Sequence, residues 1–454
     1  MALIDELRSL LGEAHVLGPE KLSLRDPGWC KTSQAAGLLV RPADAAELAA
    51  VLTATPGMGI VPQGGLTGLV EGTESHPGQL IVSFERMNRI ELIDPAQGMA
   101  LVGAGVTLAE LDAALEPYGL MAGVDIGARD SCTIGGMVST NAGGIRVLRY
   151  GMMRAGVLGL EVVLADGAVL DLTSPLMKNN AGYDLKQVFI GSEGTLGLVT
   201  KVALRLFPRP KAIATALVGI APEALSSFMP RLRAALGDDL AAIEGMWPAC
   251  YRYCAASQGL TRLPLAEGPG LFLTLEAFGP DDQTAREALE AALVPALEDG
   301  TIKDAVIAQS EAERATIWRI REGGGLIGSG GEPGYHYDVS LKLADLDPYV
   351  QALEAACAGL EGVSVLVLGH VGDGNLHLSL MLDGPLHPRE VVDAAVYGTL
   401  RQFQGGSVSA EHGIGLEKLA ALKAAQPAPV RAAMLALKAA YDPENRLNPG
   451  KVLG

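Results

Sequence analysis

The sequence predicts an α+β protein of two or three domains, and three observations carry that reading. The chain has 454 residues, more than one ordinary hydrophobic core organises. Hydrophobic residues make up 49% and charged residues 19%, the balance of a globular chain rather than a disordered one. Strand-like runs alternate with helical patterns throughout, and the pattern changes at Pro208 and Pro210.

The elements follow in order. Residues 1–55 read as helix, loop and a second helix over Pro42–Thr55. Gly59–Val61 is a short strand that runs into the glycine-rich turn Pro62–Gly72 (PQGGLTGLVEG). Such a turn exposes successive backbone N–H groups and admits an anion such as phosphate. It matches neither the Walker pattern nor GxGxxG. Leu80–Phe84 and Ala100–Gly105 are strands, and Thr107-Leu-Ala-Glu110 is a capping box opening a helix to Tyr118. Ile126–Tyr150 carries two glycine pairs with Ser139, Thr140 and Asn141 between them and reads as wholly irregular. A long run of that kind usually serves a ligand. Leu160–Leu172 is a hairpin around Asp166-Gly167. Beyond Lys211, Leu217–Ile220, helical Pro222–Leu236, strand Leu271–Phe278 and helical Thr284–Leu297 (with a capping box at Thr284) alternate as in a split βαβ unit. A helix over Arg389–Phe403 and another around 416–440 close the chain.

Composition excludes several classes. A net charge of −17 argues against nucleic acid or an anionic membrane as partner, and leaves a small anionic substrate open. Cys30, Cys132, Cys250, Cys254 and Cys357 are odd in number and have no framework spacing, as expected of reduced thiols in a cytoplasmic protein. Cys250 and Cys254 can share one side of a helix, but no second pair completes a zinc site. The first residues, MALIDELRSLLGEAHVL, lack the basic start and apolar core of a signal peptide. No apolar run approaches the length of a membrane span.

The segment richest in chemistry is Gly369–Leu378, GHVGDGNLHL. Val363–Leu368 reads as a strand, Leu376–Leu382 as its return, and Gly372–Asn375 as the turn. His370 then ends one strand and His377 begins the other, so both imidazoles can converge on one point. That is metal-ligand geometry, completed by a carboxylate from elsewhere. Turn histidines that merely bond to backbone would read similarly. A third histidine in Glu411-His412-Gly413, out of seven in the chain, favours metal.

Taken together, PQGGLTGLVEG, SCTIGGMVSTNAGGIRVLRYG, GYDLKQVFIGSEGTLGLVT, GHVGDGNLHL, SAEHGIGLEK and NPGKVL resemble the FAD-dependent D-2-hydroxyacid dehydrogenases. These are the D-2-hydroxyglutarate and D-lactate dehydrogenase branch of the vanillyl-alcohol oxidase/PCMH flavoproteins. The resemblance implies a two-lobed PCMH-type FAD-binding domain over 1–210, an α+β substrate cap over 211–405 and a segment 406–454 returning to the FAD domain. It implies pyrophosphate contacts from Pro62, Gln63, Gly64, Gly65, Thr67 and Gly68. Cys132, Thr133, Gly135, Gly136, Asn141, Gly143 and Gly144 would run beside the flavin, Glu193, Gly194 and Gly197 would close the adenosine end, and Asn448 would reach the flavin side. Leu66 stands where some members carry a histidine for covalent FAD, so non-covalent FAD is expected. His370, His377 and Glu411 would bind Zn²⁺ or Mn²⁺, His412 would be the base, and Arg321 of the WRIRE motif would pair with substrate carboxylate. The implied reaction is oxidation of a D-2-hydroxyacid (D-2-hydroxyglutarate, D-lactate or D-malate class) to the 2-oxoacid. The acceptor would be a quinone, an electron-transfer flavoprotein or a cytochrome. A glycolate-oxidase-type subunit of an electron-transfer complex is the alternative.

Three positions depart from the pattern. His336 replaces the usual lysine, Ser379 an asparagine and Gly325 a hydroxyl residue. All fall on expected substrate contacts, with Lys342 or His336 itself as possible compensation. They imply intact oxidation chemistry and an altered side-chain pocket.

Overall fold

Local signals start the helices. The computed structural model describes residues 3–174, 176, 178–266, 268–327, 333–384 and 387–454. In it Asp44 caps the helix Ala45–Ala54 by accepting from the Glu47 N–H. Thr107 and Glu110 form the expected capping box on the helix Leu108–Leu115. The box expected at Thr284 lies elsewhere. Asp281 is the cap, its carboxylate accepts from the Thr284 N–H, and the helix spans Asp282–Glu298. A carboxylate one turn earlier takes both the N–H and the hydroxyl of Thr284, the two groups a box there would use.

The chain divides into two compact units, residues 1–143 with 150–209 and 411–454, and residues 144–149 with 210–410. In the first unit, β1 (Val16–Leu17), β2 (Leu39–Val40), β3 (Ile60–Gln63) and β4 (Leu80–Ser83) form a sheet in the order β1-β2-β4-β3. β4 runs parallel to both its neighbours. β5 (Ile90–Asp94), β6 (Met99–Gly103), β7 (Leu120–Ala122), β8 (Val157–Val163), β9 (Val169–Leu172) and β10 (Leu198–Pro208) form an antiparallel sheet, β5-β6-β10-β8-β9, with β7 also on β10. The expected hairpin at Asp166-Gly167 is β8-β9.

The stretch 126–150 is not wholly irregular. A helix, Ile134–Thr140, begins at the Thr133 cap. It buries Ile134, Met137 and Val138, spaced i, i+3, i+4, in the core, and packs partly through backbone: a side chain at Gly135 would collide with Ala104.

The C-terminal residues complete the first sheet. Leu447 bridges Ile60 in parallel and joins the core of Leu48, Val51, Leu52 and Leu80. Each such side chain contributes about 1.5–3 kcal/mol on burial. Arg446, 7% exposed, donates to the carbonyls of Ala165, Leu52 and Thr55.

The second unit is one seven-stranded antiparallel sheet. Its strands are β11 (Ala212–Ile220), β12 (Leu240–Met246), β13 (Leu271–Gly279), β14 (Ile302–Ile307), β15 (Gly334–Ser340), β16 (Val363–Gly369) and β17 (Asn375–Leu382), in the order β14-β11-β13-β12-β16-β17-β15. Helices Pro248–Ser257 and Glu311–Glu322 pack on the face that carries Leu217, Met246, Phe272 and Leu368. Alternation along the strands places Glu244, Thr274, His377 and Asp338 on that face, through the pairs Glu244–Thr274, Leu368–His377 and Asp338–His377. No helix among the described residues is long and apolar enough to cross a membrane.

Replacing Arg446 by Met leaves the carbonyls of Ala165 and Leu52 without this donor and Thr55 O with the Met58 N–H alone. At about 1–3 kcal/mol for each unsatisfied group, Arg446→Met is expected to cost at least about 2 kcal/mol of stability, read as a lower urea midpoint.

Candidate active site

The hairpin anticipated at Gly369–Leu378 forms, with Leu368 opposite His377 and the turn at residues 371–374. The rings of His370 and His377 lie 5.2 Å apart at 83°. Behind His370 stands Glu244, wholly buried in β12. One carboxylate oxygen meets His370 Nδ1 at 2.6 Å and the other accepts from Arg321 Nε at 2.7 Å. Burial alone would raise this carboxyl. The His370 imidazole and the Arg321 guanidinium beside it outweigh burial and hold the group below the usual carboxylate range.

These residues fit a divalent metal. With Nδ1–H on a carboxylate, Nε2 is the nitrogen of His370 that carries the lone pair, the arrangement that metal-binding histidines adopt. Arg321 uses Nε for Glu244, and no partner among the described residues takes its Nη groups. That edge of the guanidinium is open to a carboxylate.

The positions expected to touch substrate are brought together by strand register. His336 lies directly across from Ser379, and Nδ1 and Oγ are 2.9 Å apart. A side chain at Gly325 would meet nothing within 4 Å. Lys342 does not compensate for a missing ammonium at 336. It lies beyond the end of β15 with Cε near the Gly405 backbone, more than four residues of strand, about 13 Å, from His336. Asp338 ties two segments together: it accepts from Asn375 Nδ2 at 2.6 Å and from the Ala410 N–H at 3.0 Å.

In the first unit the glycine-rich segments meet. A side chain at Gly65 would overlap the Ser131 carbonyl, so the first loop rests directly on the second. Glu193 N–H donates to Ser139 O at 2.7 Å, Gly194 lies against Pro62, and Gly197 against Phe189. Several side chains shape these loops. Gln63 donates to Ser33 O, Thr133 caps its helix, and Asn141 accepts from the Arg154 N–H. Leu66, Asn141, Glu193 and Asn448 all take positive φ, strain of the kind that collects at ligand sites.

The loops fit a dinucleotide cofactor. Among the described residues, the N–H groups of Gly64, Gly65, Leu66, Thr67 and Gly68 have no protein acceptor, as an anion cradle requires. Asn448, 3% exposed, donates to Gly72 O and Glu193 O while its Oδ1 is left unpartnered. Gly144 falls in the second unit, in a short segment held there by Arg146 on the buried Glu276 at 3.0 Å.

Glu193 has a use the sequence does not announce. Its two oxygens accept from the N–H groups of Ile414 and Gly415 at 2.7 and 2.8 Å. Burial pushes this carboxyl up, against those donors and the charge of Lys418. The carboxylate thus holds the loop that begins at Glu411 and His412, where Glu411 Oε1 and His412 Nε2 are 3.6 Å apart.

Comparison with known proteins agrees with the dinucleotide fit. The FAD binding domain family matches residues 36–173, and the C-terminal domain family of FAD linked oxidases matches residues 209–452. A probable mitochondrial D-2-hydroxyglutarate dehydrogenase of Oryza sativa subsp. japonica is 37% identical over 99% of this chain and 81% of its own length. The enzyme of that name from Xanthomonas citri pv. viticola is 35% identical over 96% of this chain and 89% of its own. The chain belongs to this family of FAD-linked D-2-hydroxyglutarate dehydrogenases. It is thus a flavin-dependent oxidoreductase acting on a CH–OH donor. The fold is that of the PCMH-type flavoproteins: p-cresol methylhydroxylase superposes with a TM-score of 0.76 at 17% identity, over 99% of this chain and 96% of its own.

Glu244 is the residue near these groups that the motifs do not reveal. Its one sequence signal is a lone acid inside the apolar run LAAIEGM, where a buried charge demands partners. Cys132, 3% exposed, has its thiol pushed up to about 11 by burial. The thiol therefore stays protonated at pH 8, and folded protein is expected to resist iodoacetamide at Cys132 while urea-unfolded protein is alkylated, as peptide mass mapping reads.

Proposed function

We propose that this family member oxidises a D-2-hydroxyacid to the 2-oxoacid, using non-covalent FAD and a divalent metal, Zn²⁺ or Mn²⁺, held by His370, His377 and Glu411. The observation that carries the reading is the paired imidazoles of His370 and His377, one of them fixed by a buried carboxylate. FAD, when bound, supplies the hydride acceptor at N5. The metal, when bound, supplies a Lewis acid for the substrate's hydroxyl and carboxylate oxygens. Arg321 binds the same carboxylate through its Nη edge and fixes the orientation of Cα. His412 takes the hydroxyl proton on a ring nitrogen. The substrate so loses that proton, and its Cα hydrogen with the bonding pair, and becomes the ketone.

The names of the relatives support D-2-hydroxyglutarate as one substrate. His336 and Ser379, bonded to each other, support a side-chain pocket that also admits D-lactate and D-malate. Relative to a fixed ammonium, this pair is expected to weaken the hold on a second carboxylate by roughly 1–3 kcal/mol.

Anaerobic flavin bleaching by D-lactate, D-malate and D-2-hydroxyglutarate, with and without chelator, tests the reading. His370→Ala is expected to abolish bleaching in protein that stays yellow. His412→Ala should slow it by roughly 10²–10⁴-fold. Bleaching that persists in metal-stripped protein would overturn the metal assignment. His336→Lys is expected to raise kcat/KM for D-2-hydroxyglutarate about tenfold, in line with the ammonium it restores, and to leave D-lactate unchanged.

A further inference from the structure

We propose that Glu244 is a positioning residue that sets His370 and Arg321 against each other, so that one buried carboxylate aligns both the metal ligand and the fork that receives the substrate carboxylate. The inference rests on the function proposed above and adds a residue to it. Both contacts are short, 2.6 Å to His370 Nδ1 and 2.7 Å to Arg321 Nε, and the carboxylate is fully buried, so water does not replace either partner. β12 is a central strand, paired with β13 along its length and with β16 at its end. Gly245 lies opposite Gly369, one residue before His370. The acid thus sits on rigid backbone beside the histidine it holds, and Arg321 reaches it from the last turn of the helix Glu311–Glu322.

The chemistry of the position admits only a carboxylate with two free acceptors. Nε of Arg321 is always a donor. His370 Nδ1 must also be a donor if Nε2 is to offer a lone pair to a metal. An amide in place of the carboxylate has one oxygen and one NH₂ group. If its oxygen faces Arg321, its NH₂ faces His370 Nδ1, which must then accept. The ring proton moves to Nε2 and closes the metal side. If its oxygen faces His370, its NH₂ opposes the guanidinium and turns the fork away. Glu244→Gln therefore damages metal binding or carboxylate binding by geometry, although it touches neither ligand.

Zn²⁺ affinity, read by competition with a chromophoric chelator, and oxalate affinity, read from the flavin absorbance of the metal-free protein, test this. Wild-type protein is the control: if it binds no zinc, the metal assignment fails and says nothing against Glu244. Given a zinc-binding wild type, Glu244→Gln is expected to keep its flavin spectrum and to lose about 10–100-fold in zinc affinity, the usual effect of removing a partner behind a metal ligand, or a similar factor for oxalate. Glu244→Asp keeps the charge but draws it back by one methylene, so it can meet one partner only. It should retain one of the two affinities and lose the other. Wild-type affinity for both zinc and oxalate in either variant overturns the proposal, and the Glu244→Asp measurement stands even if Glu244→Gln does not fold.

Discussion

A slip of one residue between β16 and β17 would turn His377 and Ser379 to the opposite side of the sheet and Leu376 and Leu378 to this one. The same slip would carry Asp338 and His336 to the opposite side with them, because β15 is registered on β17 through His377 and Ser379. The polar face of the second unit therefore depends on backbone pairing before it depends on any side chain. What fixes the register is apolar: Leu368, Met246, Phe272 and Met381 must reach the helices packed on that face. Burial chooses the face, and the histidines, the serine and the aspartate come with it.

Two of the buried carboxylates on that face are held as ion pairs. Glu244 and Glu276 are both essentially inaccessible, and each meets an arginine from outside the sheet, Arg321 and Arg146. Buried ion pairs rarely stabilise a fold relative to apolar packing, and breaking one leaves an uncompensated charge. Two such pairs on neighbouring central strands are therefore weak evidence of stability. Their geometry, not their contribution to folding, is what sets them apart.

Much of this was legible in the sequence because the signals were local. The hairpin at 369–378 announced itself by a turn of Gly, Asp and Asn between two apolar runs, and the cap at Thr107 by its spacing to Glu110. Elements held together by distant partners were not legible. β12 reads LAAIEGM, poor in β-branched residues, and is a strand because all its residues are buried at the centre of a sheet. The helix Ile134–Thr140 shows the core only Ile134, Met137 and Val138 over two turns, and the rest of its contact runs through glycine. Glu193 looked like part of a cofactor loop, and its carboxylate grips a segment 221 residues away. No window of sequence contains both ends of that contact.

The tail has a consequence for the order in which the molecule is built. Arg446 bonds to Thr55 across 391 residues, and Leu447 lies alongside Ile60. The first sheet therefore remains incomplete, and its loops unlatched, until residues 446–448 emerge from the ribosome. By then every strand of the second unit has already been made. Contacts of such sequence separation carry a large loop-closure cost and form slowly. The part of the chain made first is thus the part finished last, and it passes through synthesis with the edge of β3 still unpaired.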